Sequence, residues 1–133
     1  MVRVEIDGAR VTDVPSLCRA FEAAVGAPPG SWGSTLFCFD DRLFGGFGLE
    51  HPCEVIWRDS EVSRGALDGR ALAAWAAGQL AAPDCFVDDA GRQWLERTIA
   101  DGEAGRRTLF SEIVDSLESV TRRGGKSLRL VLA

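Results

Sequence analysis

The sequence predicts an α/β chain, a small three-stranded parallel sheet packed against helices. Two observations predict this. Stretches near residues 2–6, 53–57 and 127–132 carry strand signals, and the segments between them carry helical ones. Those segments are too long to be hairpin turns, so the strands must pair in parallel through crossover connections. At 133 residues the chain suffices for one domain over 1–133 and not for two that each bury a proper core. The expected order is strand, two helices, strand, three helices, strand.

Each element has a local reason. Val2, Val4 and Ile6 alternate with Arg3 and Glu5 until Asp7-Gly8 breaks the run, which reads as a strand ending in a turn. Thr12-Asp13 before Val14-Pro15 offers a side-chain cap and a proline that the first helical turn tolerates. Leu17, Phe21, Ala24 and Val25 then share a helix face that stops before Ala27-Pro28-Pro29-Gly30. A second helix starts near Gly33-Ser34-Thr35, with Leu36, Phe39 and Leu43 as its core stripe and Phe37, Asp40, Asp41 and Phe44 on its flanks or opposite side. Gly45-Gly46-Phe47-Gly48 ends it.

Cys53-Glu54-Val55-Ile56-Trp57 is the second strand, and Ser127-Leu128-Arg129-Leu130-Val131-Leu132 the third. A long amphipathic helix precedes the third, with Leu109, Phe110, Ile113, Val114, Leu117 and Val120 on one face and Arg122-Arg123-Gly124-Gly125 at its end. Between them, Leu67, Ala71, Leu72 and Trp75 repeat at helical spacing in an alanine-rich stretch that Ala82-Pro83-Asp84 stops. Trp94, Leu95 and Ile99 suggest one more helix, so residues about 66–100 are expected to be helical and to bury Leu72, Trp75, Trp94 and Leu95.

Composition narrows the function classes. With 46% hydrophobic and 26% charged residues, the chain has the make-up of a globular protein. No apolar run approaches the ~18 residues that cross a bilayer. Met1-Val2-Arg3-Val4-Glu5 puts charges inside the first apolar stretch, which argues against a secretory signal and for a cytoplasmic location. Cys18, Cys38, Cys53 and Cys85 lie far outside the spacing of about two to four residues typical of zinc-ligand pairs, so reduced thiols and no metal are expected. The formal net charge of −5 disfavours direct nucleic-acid binding and suits a basic protein partner. Arg106-Arg107 and Arg122-Arg123 read as helix-end cations that meet the macrodipole or face water.

A small hydrolase using Cys38 or His51 is one reading, and it is disfavoured because no base–nucleophile pair is evident in the sequence. The one histidine, His51, sits in Glu50-His51-Pro52 and reads as a solvated loop residue, and Cys38 has no base near it in sequence. The glycines at 45, 46 and 48 follow a helix, whereas a phosphate cradle runs from a strand into a helix N-terminus. Asp88-Asp89 reads as solvated surface. Asp40-Asp41 stands out by position, because it shares a short helix with Phe37, one turn before Asp41 on the same side, and follows Trp32 closely. Carboxylates framed by aromatics have the make-up of a patch that binds a basic partner.

Four segments together resemble the barstar family of ribonuclease inhibitors. Val4-Glu5-Ile6-Asp7-Gly8 with Val11-Thr12-Asp13-Val14-Pro15-Ser16-Leu17 is similar to that family's first strand, turn and helix. Ser31-Trp32-Gly33-Ser34-Thr35-Leu36, running on to Asp41-Arg42-Leu43, is similar to its inhibitory helix and the approach to it. Glu50-His51-Pro52 with Trp57-Arg58, and Leu128-Arg129-Leu130-Val131-Leu132 with the helix before it, are similar to its later parts.

The likeness covers residues about 1–60 and 108–133 and makes about 61–107 an insert in a barstar-like domain. It implies a non-catalytic, cofactor-free inhibitor of a basic secreted or toxin ribonuclease, with no membrane and no direct nucleic-acid contact. It implies that Asp41 stands in for a substrate phosphate in the nuclease active site. The partner-binding set is then Asp41, Asp40, Phe37, Thr35, Trp32, Ser34 and Phe47. Several positions depart from the family. Phe37 replaces a second acid, Thr35 an asparagine and Asp40 an aromatic, while a contributing glutamate falls near Val120, two positions from Glu118. The alternative is a barstar-fold scaffold or regulatory protein whose partner is not a nuclease.

Overall fold

A computed structural model gives the arrangement, and it describes residues 1–84 and 86–133. Strand β1 (Val2–Asp7) leads through a tight turn, Gly8–Arg10, into helix α1 (Val14–Val25) and the short helix α2 (Leu36–Arg42). Strand β2 (Cys53–Arg58) follows, then helices α3 (Ser60–Ala66), α4 (Gly69–Ala81), α5 (Asp89–Glu103) and α6 (Leu109–Gly124), and finally strand β3 (Leu128–Leu132). The sheet order is β1-β2-β3 and both pairings are parallel, as expected. Helix α3 is one more than the sequence suggested. Its residues, Ser-Glu-Val-Ser-Arg-Gly-Ala, carry no apolar stripe, and it begins just after Asp59, whose φ is +50°.

The chain forms two compact units, Met1–Ser63 with Val114–Ala133, and Arg64–Ile113. Their boundaries fall within α3 and within α6. The second unit overlaps the stretch about 61–107 that the resemblance sets apart.

The first unit contains the sheet. Val4 and Ile6 of β1 and Val55 and Trp57 of β2 are buried, and α1 packs against β1 with Val14, Leu17, Cys18 and Phe21 turned inward. Ala24, expected on that face, is exposed. The α1 N-terminus is closed reciprocally: Ser16 N–H donates to Asp13 Oδ1 at 2.8 Å, and Asp13 N–H donates to Ser16 Oγ at 3.0 Å. Alternate strand residues point the other way. There Glu54 lies 3.7 Å from both Arg3 and Arg129, one on each flanking strand, and Arg58 pairs with Glu5 at 2.9 Å. Inside, the Ser63 hydroxyl accepts from Trp57 Nε1 at 3.0 Å and donates to the Gly8 carbonyl at 2.6 Å. A side chain at Gly8 would run into the Arg58 and Asp59 carbonyls, so the turn after β1 requires glycine.

The second unit is helical. Helices α4 and α5 approach so closely at Gly69 and Gly102 that a Cβ on either would strike the other's backbone. Leu67, Leu72, Ala76 and Leu95 are buried, and the Trp75 and Trp94 rings meet edge to face with centroids 6.2 Å apart. Trp94 is nevertheless 39% exposed and Trp75 only partly covered, so the expectation that both tryptophans bury is corrected. Arg107 Nε donates to Glu112 at 2.7 Å and Nη1 to Thr98 Oγ1 at 3.0 Å, while its guanidinium lies 5.4 Å from the Trp94 ring. Cys18 and Cys53 are buried free thiols and Cys38 is a half-buried one; Cys85, expected reduced as well, lies outside the described residues. No helix among the described residues is long and apolar enough to cross a membrane.

Candidate functional site

The short helix α2 and the loops on either side of it hold the residues that sequence singled out. The preceding loop is fixed by a carboxylate. Glu22, buried on α1, accepts from Gly30 N–H at 3.0 Å, Trp32 N–H at 2.9 Å and Arg19 Nε at 2.7 Å, and Arg19 also donates to the Gly33 carbonyl. Burial pushes the Glu22 pKa up, but the Arg19 hydrogen bond and the two backbone N–H groups outweigh it and hold the carboxyl below its ordinary value.

This loop carries Trp32 into the core. Its ring lies 5.1 Å from Phe21 and 6.0 Å from Phe39, and its Nε1 donates to the Phe47 carbonyl at 3.0 Å. Trp32 is therefore removed from the expected binding face: it is fully buried and braces the site from beneath. Burial also pushes the nearby Cys18 thiol up to about 11, so it stays protonated and inert at neutral pH.

Thr35 caps α2, its hydroxyl accepting from Cys38 N–H at 3.1 Å. Phe39 and Leu43 point into the core, whereas Leu36, expected beside them, is only half-buried. On the outer side Ser34 is exposed, Phe37 is 60% exposed and the Asp41 side chain is 60% exposed. Phe37 and Asp41 are one turn apart, so ring and carboxylate lie on the same side of the helix. That juxtaposition is the core of the candidate interface.

The two aspartates have different surroundings. Asp40 is gripped by Arg123 of α6, with Nη2 to Oδ1 at 2.6 Å and Nη1 to Oδ2 at 2.9 Å. Arg123 also donates from Nε to Ser119 Oγ at 2.7 Å and lies 5.0 Å from the Phe44 ring; the Asp40 hydrogen bond raises its pKa further. Asp41 accepts from Arg42 Nη1 at 3.1 Å, and the Arg42 guanidinium lies 4.3 Å from the Phe47 ring. His51 Nε2 lies 2.9 Å from the Leu43 carbonyl. A carbonyl only accepts, so that nitrogen carries the hydrogen, and His51 is a tether from the following loop to the end of α2, where a solvated residue was expected.

The chain matches no protein-family model and no curated protein. Of the seven expected binding residues, Phe37 and Asp41 share the open side of α2, and Ser34 is exposed in the loop before it. Thr35 and Phe47 flank them half-covered, Asp40 is tied to α6, and Trp32 lies below. Sequence reasoning missed Glu22, Arg42 and Arg123. A glutamate inside an amphipathic helix gives no local sign that it receives loop N–H groups, and Arg123 is 83 residues from the acid that it grips. Among the described residues no three histidine, cysteine or acidic side chains gather as a metal site would require.

Proposed function

We propose that this chain is a non-catalytic binding protein of the barstar kind, acting in the cytoplasm to occlude the active site of a basic ribonuclease with the outer face of α2. The observation that carries the reading is an exposed ring, Phe37, beside an exposed carboxylate, Asp41, on a helix whose other side is anchored in an aromatic core. An aromatic anchor next to a charge, on a support that does not have to order on binding, is the make-up of an interface centre. Asp41 takes the place of a substrate phosphate among the nuclease cations, and Phe37 fills an apolar recess beside them. No cofactor, metal, membrane or direct nucleic-acid contact enters the mechanism. The second reading, a scaffold for a partner that is not a nuclease, is favoured by one feature: both aspartates are already matched by arginines of the same chain.

The test titrates wild type, Asp41→Ala and Phe37→Ala against a nuclease encoded beside this chain, or a small basic ribonuclease. Asp41→Ala should weaken inhibition by about 2–5 kcal/mol, mainly through faster dissociation, a range to which barstar complexes themselves contribute. Thermal stability should stay nearly constant, and association should slow as salt rises. Equal inhibition by wild type and Asp41→Ala would remove Asp41 from the mechanism. No inhibition by wild type of its neighbour's nuclease would leave the scaffold reading.

A further inference from the structure

Neighbouring side chains on a helix diverge and do not ordinarily meet. Asp41 and Arg42 nonetheless pair at 3.1 Å, because the arginine is held from two further directions. Its Nε donates to the Ser31 carbonyl at 3.3 Å, and its guanidinium lies 4.3 Å from the Phe47 ring centroid. Arg42 is 22% exposed against 60% for Asp41, so the cation is the fixed member and the carboxylate the one that leans. Among the described residues the pair engages Oδ2 of Asp41, and no hydrogen bond reaches Oδ1.

We propose that Arg42 is a built-in competitor for Asp41, and thereby the residue that sets which cation this face accepts. The inference rests on α2 being the partner-binding face. In the free protein Arg42 occupies one carboxylate oxygen, and an incoming cation gains the whole carboxylate only by displacing it. A guanidinium presents two parallel donors and replaces the lost contact in kind. An ammonium is a compact, strongly hydrated point charge and leaves the contest with Arg42 unresolved. The face therefore prefers a partner arginine to a partner lysine, and that preference belongs to Arg42. The hold of Arg42 on Ser31 and Phe47 survives the exchange, because neither contact involves Asp41.

The experiment follows backbone amides 36–42 of the full chain by NMR during titration with acetyl-tri-arginine amide and, separately, acetyl-tri-lysine amide. Wild type should bind the arginine peptide more tightly. Arg42→Gln should bind both peptides more tightly, by up to about fivefold as expected for an exposed ion pair, and discriminate less between them. Arg42→Gln/Asp41→Asn, which restores the formal net charge of −5, should lose that gain. Arg42→Lys, which keeps a cation at the end of α2, should lie between wild type and Arg42→Gln, and it carries the test if the glutamine variant does not fold.

Unchanged peptide affinity in a folded Arg42 variant, or a gain that persists without Asp41, overturns the proposal. The ribonuclease titration is independent of these readouts. A chain that inhibits no nuclease but shows the Asp41-dependent gain loses only the nuclease reading, and the converse result removes only Arg42.

Discussion

The loops before and after α2 are both held by charged groups, yet by opposite means. The preceding loop closes on a buried anion: Glu22 draws in two backbone N–H groups and an arginine, and Trp32 follows them into the core. The following loop is held from outside, by Arg42 over Phe47 and Arg123 over Phe44. Charge–dipole contacts in a water-poor site are strong and have no substitute once broken. Contacts between partly exposed arginines and rings are individually weaker. The loop before the helix is thereby fixed from within, while the loop after it is held by contacts that can be lost one at a time.

The largest effect that can break this contrast lies at the buried anion. Glu22→Ala strands the buried Trp32 N–H, while the exposed Gly30 N–H can turn to water, so at about 1–3 kcal/mol for an unpaired buried group the substitution should cost about 1–3 kcal/mol in urea denaturation. A loss below ~1 kcal/mol would place the two loops on an equal footing. The same group gives the preceding loop an acid sensitivity. The Glu22 pKa lies below its ordinary 4.5, so the stability it contributes is complete above that pH and disappears as the pH falls through the folded value. Between pH 7 and pH 3, wild type should therefore lose more stability than Glu22→Gln, and equal losses would exclude Glu22 as the cause.

The next effect sharpens the comparison at the following loop. A Cβ at Gly124 would overlap the Phe44 ring. Helix propensity alone favours Gly→Ala by about 1 kcal/mol, whereas overpacking costs about 1–3 kcal/mol. Gly124→Ala should thus destabilise the wild type, yet stabilise a Phe44→Ala background. Stabilisation in both backgrounds would mean that Phe44 swings away freely and clamps nothing. The smallest effect is expected for Arg123→Gln, about 0–1 kcal/mol and fading as salt rises, because its pair with Asp40 is partly exposed. A salt-independent loss above 2 kcal/mol would show that the outer clamp is as structural as the inner one.

What was legible in the sequence follows the same division. Strand alternation, the Asp13 cap and the inner face of α6 are local signals, and they placed the parallel sheet and most of the helices. The outward pairing of Phe37 with Asp41 was legible too, since helical spacing alone puts them on one side. Features that depend on distant partners were not. Trp32 sits among proline, glycine and serine and looks like a loop residue, and its burial depends on Glu22, ten positions back, and on the Phe21 and Phe39 rings. Asp40 looks as free as Asp41 until α6 delivers Arg123. Trp94 falls at a helical core position, yet its ring meets Trp75 edge to face and stays partly outside.

The outer row of the sheet resolves an ambiguity that hydrophobic alternation leaves open. A slide of one strand by a single residue turns every apolar side chain to the wrong face, so the pattern of Val2, Val4 and Ile6 forbids it. A slide by two residues keeps the faces correct, and the alternation does not detect it. The charges do. In the native pairing Arg3 faces Glu54, and Glu54 faces Arg129. Sliding β1 two residues one way sets Glu5 against Glu54, and sliding it the other way leaves Arg3 against Ile56. Arg3, Glu5, Glu54 and Arg129 thus act as a second check on strand alignment, discriminating between pairings that the core alone would treat as equivalent.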